Sequence, residues 1–449
     1  MEIKNNLKKQ ILKSAILLLS RVSDENIIRF THLIEKVTPS EHKEIVRFVR
    51  NLYQKKHPAL LLTKRILNNV HKNCLKKFLE NFILRALFEY SKKSKELAKE
   101  GLVPPFTLLI SPSMRCNLRC RGCYAQNYKK EDDLPFEIFD RVIEEGKEMG
   151  VVFFTILGGE PILREDLFEI FKKHSDVYFQ FYTNGTLINE KIAKKLIEIG
   201  NAFPQISIEG FEKDTDYRRG KGTFEKVMRT MDILRKNKVP FGYSVCVTRK
   251  NAEIVTSDEF LDLMIEKGAL IGWYFLYMPV CGDKNTELMP TPEQRNKQRL
   301  RRDYIRAKKP IFIIDFWNDA PYVGGCIAAK YYCHINNFGD VEPCIFTHFA
   351  QVNIKKASLK EALNCQFFKE IRKRQPYSPN LLMPCMLIDH PNVSRELYQI
   401  CKPYPTHPGA LTLFKEVKDD LDRYSLEVHR IYDKVWEEKN LKVKPNSDE

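Results

Sequence analysis

No apolar run in this sequence reaches the roughly 18–20 residues that a helix needs to cross a bilayer. The stretch Ala15-Ile16-Leu17-Leu18-Leu19 is closely flanked by Lys13 and Arg21. A small-residue cleavage site after an apolar core is also missing, so no secretory signal is read and a cytoplasmic protein is expected. Internal repeats and long low-complexity tracts are absent. So are RNA-binding aromatic motifs and zinc-finger spacings, which makes nucleic acid a poor candidate for a partner.

The twelve cysteines would suit a secreted disulfide scaffold only in a short chain. At 449 residues the chain is too long for one ordinary domain and can hold a barrel of roughly 200 residues with smaller flanking units. Its 43% apolar and 11% aromatic content is that of a globular protein. The net charge of +16 is concentrated at one end: residues 1–100 carry 22 Lys/Arg against 10 Asp/Glu, and the rest 52 against 48. Such a basic end suits an anionic partner such as phospholipid head groups, although a merely solvated basic face has the same composition.

Residues 1–103 read as a basic α-helical domain. Ile3, Leu7 and Ile11, then Val46, Val49, Leu52 and Tyr53, recur at helical spacing. Thr38-Pro39-Ser40-Glu41 offers a cap, Pro at the first helical position and Glu at the third. Six apolar, β-rich runs follow at 106–111, 151–157, 177–183, 203–208, 241–247 and 271–277, with amphipathic stretches at 136–149, 191–199, 224–236 and 258–267. The alternation predicts parallel βα units over 104–290, as an open barrel or a doubly wound sheet, with functional groups at the carboxyl ends of the strands. Over 291–405 a charged helix at 292–308 precedes a short-strand, Gly- and Cys-containing region. A final amphipathic helix, roughly 411–438, lies in the segment 406–449.

The segment Ser111-Pro112-Ser113-Met114-Arg115-Cys116-Asn117-Leu118-Arg119-Cys120-Arg121-Gly122-Cys123-Tyr124 follows the first strand directly. Three thiolates spaced by three and two residues on one loop can wrap a corner of an iron–sulfur cubane. Tetrahedral zinc, the competing reading, would want a fourth ligand nearby, and none is close in sequence. A three-cysteine site leaves one iron open to a further ligand. Arg115, Arg119 and Arg121 favour the thiolate forms.

This Cys-x3-Cys-x2-Cys-Tyr loop resembles that of the radical S-adenosylmethionine (SAM) superfamily. The resemblance covers about 104–285 and implies an α/β fold whose core is a partial (β/α)6 barrel. It implies an oxygen-sensitive [4Fe–4S] cluster on Cys116, Cys120 and Cys123, whose open iron binds the amino and carboxylate groups of SAM. Such an enzyme cleaves SAM reductively to methionine and a 5′-deoxyadenosyl radical, which abstracts hydrogen from an unactivated C–H bond. Tyr124 closes the loop. Gly158-Gly159-Glu160-Pro161 resembles the family's contact to the SAM amino group, and an ammonium, which only donates, suits glycine carbonyls and a carboxylate. Thr183-Asn184-Gly185 ends the third strand. Ser207-Ile208-Glu209-Gly210 ends the fourth and resembles the family's ribose-binding position. Singly, such Gly-containing pairs are commonly plain turns; here they fall in register on consecutive strands. Arg218 or Arg249 could pair with the SAM carboxylate, against the usual reading of a lone arginine as a surface residue. Trp273-Tyr274-Phe275 with Tyr277 reads as barrel packing.

Further on, Cys326, twelve residues, Gly339, four residues and Cys344 resemble the opening of the SPASM or Twitch extension of radical SAM enzymes, with Cys385 in Met383-Pro384-Cys385 as a third ligand. No Cys-x2-Cys follows Cys344, a departure from the full SPASM pattern, so one additional [4Fe–4S] cluster is implied rather than two. Its fourth ligand is open among Cys333, Cys401, His390 and substrate, and Cys333 reads equally well as a small buried hydrophobe. Cys74, Cys246, Cys281 and Cys365 read as buried or incidental thiols.

The expected partners are SAM, a low-potential electron donor such as ferredoxin or flavodoxin, and an anionic membrane surface for the basic helices. Peptide maturases of this kind usually carry a winged-helix peptide-binding module, whereas the first hundred residues look all-helical. Their basic, amphipathic character suits an interfacial anchor and a lipid or hydrocarbon substrate. A peptide or small metabolite is the alternative substrate. A non-catalytic iron–sulfur electron carrier or nucleic-acid-binding module is the alternative of another class, and Gly-Gly-Glu-Pro argues against it because a carrier needs no SAM pocket.

Overall fold

The computed structural model describes residues 23–439 apart from 39, 126–127 and 129–131. Ile3, Leu7 and Ile11 therefore lie outside the described residues. Three helices come first: α1 (Asp24–Val37), α2 (Lys43–Gln54) and α3 (Pro58–Asn69). Ser23 caps α1, and Pro58 opens α3 behind the His57 cap. Thr38 does not begin a helix as its spacing suggests. Its hydroxyl and N–H both donate to the Ile34 carbonyl, at 2.8 and 2.9 Å, and so close α1. A short 3-10 turn, Ser40–His42, then leads into α2. A threonine hydroxyl can donate backwards as readily as it accepts forwards, and sequence order does not distinguish the two. α4 (Lys72–Lys77) continues through wide-turned helix into α5 (Ser91–Ala98).

All six apolar runs form strands: β1 (Thr107–Ile110), β2 (Phe153–Ile156), β3 (Tyr178–Thr183), β4 (Ala202–Ser207), β5 (Gly242–Val247) and β6 (Ile271–Leu276). They pair in chain order and in parallel. Between them run α6 (Phe136–Glu148), α7 (Leu167–Lys173), α8 (Glu190–Ile199), α9 (Glu212–Arg219), α10 (Thr223–Lys236) and α11 (Asp258–Lys267). Asn189 and Ser257 cap α8 and α11, and Gly200 and Gly268 end them in the left-handed conformation that glycine adopts without strain. Phe154, Phe171, Phe179 and Phe181 pack the helix-facing side of the sheet.

The region after 290 extends this sheet at both edges. α12 (Pro292–Lys308) starts on a Thr291–Gln294 capping box. β7 (Phe312–Asp315) then joins β6, β8 (Tyr332–Ile335) joins β1, both in parallel, and β9 (Val341–Glu342) returns antiparallel to β8. A small ribbon of β10 (Phe349–Ala350) and β11 (Tyr404–Pro405), with α13 (Leu359–Leu363), α14 (Gln366–Arg374), α15 (Pro391–Cys401) and α16 (Lys418–Lys439), completes the fold.

The N-terminal helices cover the amino ends of the strands. Arg65 donates to the carbonyls of Pro310, Ile265 and Ala269, at 2.5, 2.9 and 3.1 Å, and Asn81 donates to Val177 at 3.0 Å. Phe82 packs on Phe106 and Phe153. These helices thus lie at the end of the barrel opposite the strand-end motifs. No helix among the described residues is long and apolar enough to cross a membrane.

A buried polar cluster joins the extension to the core. Glu342 accepts from His334 Nδ1 at 2.6 Å, from Asn336 Nδ2 at 3.3 Å and from Thr406, while His334 Nε2 lies 2.7 Å from Ser111 Oγ. His348 sits 3.7 Å from Glu342, 2.7 Å from the Tyr128 hydroxyl and 3.1 Å from Cys281 Sγ. Cys281 is buried, as one of its two sequence readings has it, and is a member of this cluster. Burial works against the Glu342 charge, but His334 and His348 outweigh it and hold the carboxyl down at about 2. Glu342→Ala leaves two buried imidazoles without their acceptor, so anaerobic urea unfolding should show a loss of about 3–5 kcal/mol. Glu342→Gln, which keeps an acceptor, should lose less.

Candidate active site

The carboxyl ends of the strands surround a cavity of about 200 Å³ lined by Cys116, Cys120, Cys123, Gly159, Asn184 and Arg218, among others. Tyr124, Gly158, Thr183 and Ser207 also line it, whereas Glu160, Pro161 and Glu209 do not. Gly158 adopts φ +108°, and a Cβ there would run into the Ser113 carbonyl; a Cβ on Gly159 would run into that of Arg115. The two glycines let the end of β2 nest against the cysteine loop, with Gly159 N–H on Ser113 at 3.0 Å and Glu160 N–H on Arg115 at 2.7 Å. Gly159→Ala should force these segments apart and weaken SAM binding at least tenfold, about 1.4 kcal/mol. Anaerobic calorimetry measures this, and an unchanged far-ultraviolet spectrum would show that the barrel is intact.

Both carboxylate oxygens of Glu160 are engaged by the protein. One accepts from Thr183 Oγ1 at 2.7 Å and Ile162 N–H at 3.2 Å, the other from Asn184 N–H at 2.7 Å. Burial pushes its pKa up to about 7. Glu160 thus ties the end of β2 to the end of β3 and presents Asn184, whose Nδ2 donates to Asn117 at 2.8 Å and lies 3.9 Å from Cys116 Sγ.

Arg218 overturns the surface reading of a lone arginine. Together with Arg219, which sequence reasoning did not single out, it lines the cavity from α9. Glu209 is their counter-ion, accepting from Arg218 at 2.8 Å and Arg219 at 2.6 Å, and from Cys246 N–H at 3.1 Å. Burial disfavours the Arg218 charge, but Cys246, Glu209, Cys120 and Cys123 outweigh it and raise the pKa. The available signal was two adjacent arginines about one short helix after Glu209-Gly210. Arg249 is spent instead on the Met289 carbonyl, at 3.1 Å. None of Arg115, Arg119 and Arg121 lines the cavity; Arg115 pairs with Asp133 and Arg121 lies over the Tyr217 ring. Phe275, Tyr277 and Cys246 do line it, so the aromatic run is more than barrel packing and Cys246 is not incidental. Tyr274 does pack the barrel, donating to the Val255 carbonyl at 2.7 Å.

Cys326, Cys344 and Cys385 line one end of a second cavity, of about 670 Å³. The Tyr332 hydroxyl donates to Cys344 Sγ at 2.8 Å, as does Phe346 N–H at 3.5 Å; Leu387 N–H reaches Cys385 Sγ at 3.4 Å. Burial pushes the Cys326 thiol up to about 12 and the Cys344 thiol to about 11, so a bound metal is what would hold them as thiolates. Of the candidate fourth ligands, Cys333, Cys401 and His390 do not line this cavity, and His390 Nε2 is 2.9 Å from the Met383 carbonyl. Among the described residues, no three or more His, Cys, Asp or Glu side chains converge on a single metal-ion position.

Residues 110–261 match the radical SAM superfamily, and residues 326–386 match the SPASM iron–sulfur cluster-binding domain. The chain is 30% identical over 267 residues to the mycofactocin maturase of Mycolicibacterium smegmatis, spanning 56% of this chain and 67% of that protein. It is 27% identical over 287 residues to the AdoMet-dependent heme synthase of Methanosarcina barkeri, spanning 57% and 82%. In fold it is similar to Streptococcus suis SuiB bound to precursor peptide SuiA, with a TM-score of 0.54, 18% identity, and coverage of 70% and 83%. The chain belongs to the radical SAM superfamily. It is an enzyme whose radical SAM domain carries a [4Fe–4S] cluster with SAM, and its SPASM extension adds further iron–sulfur.

Proposed function

We propose that Cys116, Cys120 and Cys123 hold the SAM-binding cluster, that Gly158, Gly159, Thr183, Asn184, Ser207 and Arg218 bind SAM beside it, and that Cys326, Cys344 and Cys385 hold one auxiliary cluster. The observation that carries this is a single cavity shared by the three cysteines, the glycine pair and a charged arginine. Such a cluster, when bound, would supply the electron for reductive cleavage of SAM and so for hydrogen-atom abstraction from a substrate C–H bond. Arg218, paired with Glu209, would hold the SAM carboxylate. The Gly158 and Gly159 carbonyls would accept from its ammonium. Phe275, Tyr277 and Phe346 keep water from the reacting end. An external low-potential donor, ferredoxin or flavodoxin, delivers the electron.

For the substrate we infer a lipid or hydrocarbon chain taken at an anionic membrane surface, supported by the apolar walls of the larger cavity and the basic helices beside it. Relatives named as a maturase and a heme synthase support the alternative, a peptide or small metabolite. Reconstituted protein with dithionite and SAM should move deuterium from perdeuterated phospholipid into 5′-deoxyadenosine. Deuterium arriving from a labelled peptide but never from lipid would transfer the assignment to the alternative.

A further inference from the structure

The larger cavity extends well beyond the second cysteine group. It begins at Phe48 and Leu52 of α2 and Ala59 and Leu62 of α3, passes Trp273 of β6, and reaches Phe346. Phe346 also lines the SAM cavity. Between the two, Trp273 stacks on Phe275 at 5.7 Å, Phe275 meets Phe316 at 5.5 Å, Phe316 meets Trp317 at 5.4 Å, and Trp317 meets Phe346 at 5.8 Å. The cavities therefore share an aromatic wall. The far rim is apolar yet open to solvent: Phe48 is 62% exposed, Tyr322 72%, Phe312 46% and Val323 48%. Exposed Ile45 and Leu61 continue that surface over α2 and α3, and Lys55 and Lys56 stand exposed in the turn between the two helices.

Large apolar side chains gathered around an opening mark a binding surface, not ordinary solvated exterior. The basic residues beside them select an anionic one. A peptide inside would bring a donor and an acceptor with every residue, and the cavity has little to offer them. Arg306 is paired with Asp319 at 2.6 Å and Lys309 with Asp262 at 2.7 Å. The Thr347 hydroxyl is engaged by Cys344. The volume lies within the range of roughly 300–1,000 Å³ usual for ligand pockets.

Resting on the radical SAM reading, we propose that the part of this cavity away from Cys326, Cys344 and Cys385, between Phe48 and Trp273, holds the acyl chain of an anionic phospholipid, admitted from the membrane surface between α2, α3 and β7. The chain then approaches the SAM cavity from the amino end of the barrel, across from the strand-end loops. The two tryptophans in the cavity, out of 3 in the chain, provide the readout. Reconstituted full-length protein is mixed with phosphatidylglycerol vesicles whose acyl chains are dibrominated, and emission is compared with that on unbrominated vesicles. Bromine should remove most of the tryptophan emission. Ala59→Phe, which narrows the mouth, should restore it while leaving iron content and vesicle flotation unchanged. Trp436→Phe should leave the quenching as it was. Absence of bromine quenching on floated protein, or equal quenching in Ala59→Phe, overturns the proposal. Normal SAM cleavage in the same preparation then leaves the radical SAM reading standing; loss of SAM cleavage and iron counts against that reading instead.

Discussion

Replacing Cys116, Cys120 and Cys123 with alanine should abolish 5′-deoxyadenosine formation from SAM under strong reductant, and each single replacement should do the same. A cubane needs a ligand on each iron, and SAM takes the iron that the protein leaves open. With one thiolate gone, two protein ligands remain for four corners, and the same cavity loses the iron that orients SAM against Arg218. A trivial collapse of the fold is not expected, because the loop is held from outside by Gly159 on the Ser113 carbonyl and Glu160 on that of Arg115. The barrel beneath is packed by apolar side chains of which only Cys123, at the edge, is among the substituted residues. Far-ultraviolet spectra should therefore match the parent. Turnover that survives the triple replacement overturns the assignment of the SAM cluster.

The barrel was legible because its signals are local. Period and capping residues mark α8, α11 and α12, terminal glycines mark the ends of α8 and α11, and six apolar runs mark six strands. The strand-end motifs follow from the same alternation. What was not legible depends on convergence of distant segments. Thr38 misleads because one hydroxyl serves either helix. Arg219 and Cys246 enter the cavity wall only because Glu209 draws α9 and the end of β5 together. Cys281 meets His348 across 67 positions of sequence, with no spacing rule to announce it. The larger cavity is assembled from α2, α3, β6, β7 and the loops of the extension. Each contributing segment looks like ordinary apolar core when read by itself.

The second large effect concerns iron. The intact reconstituted protein should contain about eight irons per chain, two cubanes' worth, and Cys326→Ala/Cys344→Ala/Cys385→Ala should contain about four. The two groups are separable because their ligands come from different places. Cys116, Cys120 and Cys123 sit on one loop after β1, whereas Cys326 precedes β8, Cys344 follows β9 and Cys385 precedes α15. The β8–β9 pairing brings the Cys326 and Cys344 segments together without drawing on the SAM loop. SAM affinity should consequently stay within about twofold of the parent, well under the 1.4 kcal/mol that a tenfold change represents. Stability should fall less than for a severed core pair, since Cys344 and Cys385 each keep a backbone N–H near the replaced sulfur that the shorter side chain exposes to the cavity. Full iron retention in the triple variant would remove the auxiliary cluster from these three residues. Loss of all iron would mean that the two sites assemble as one, contrary to the separation of their ligand loops.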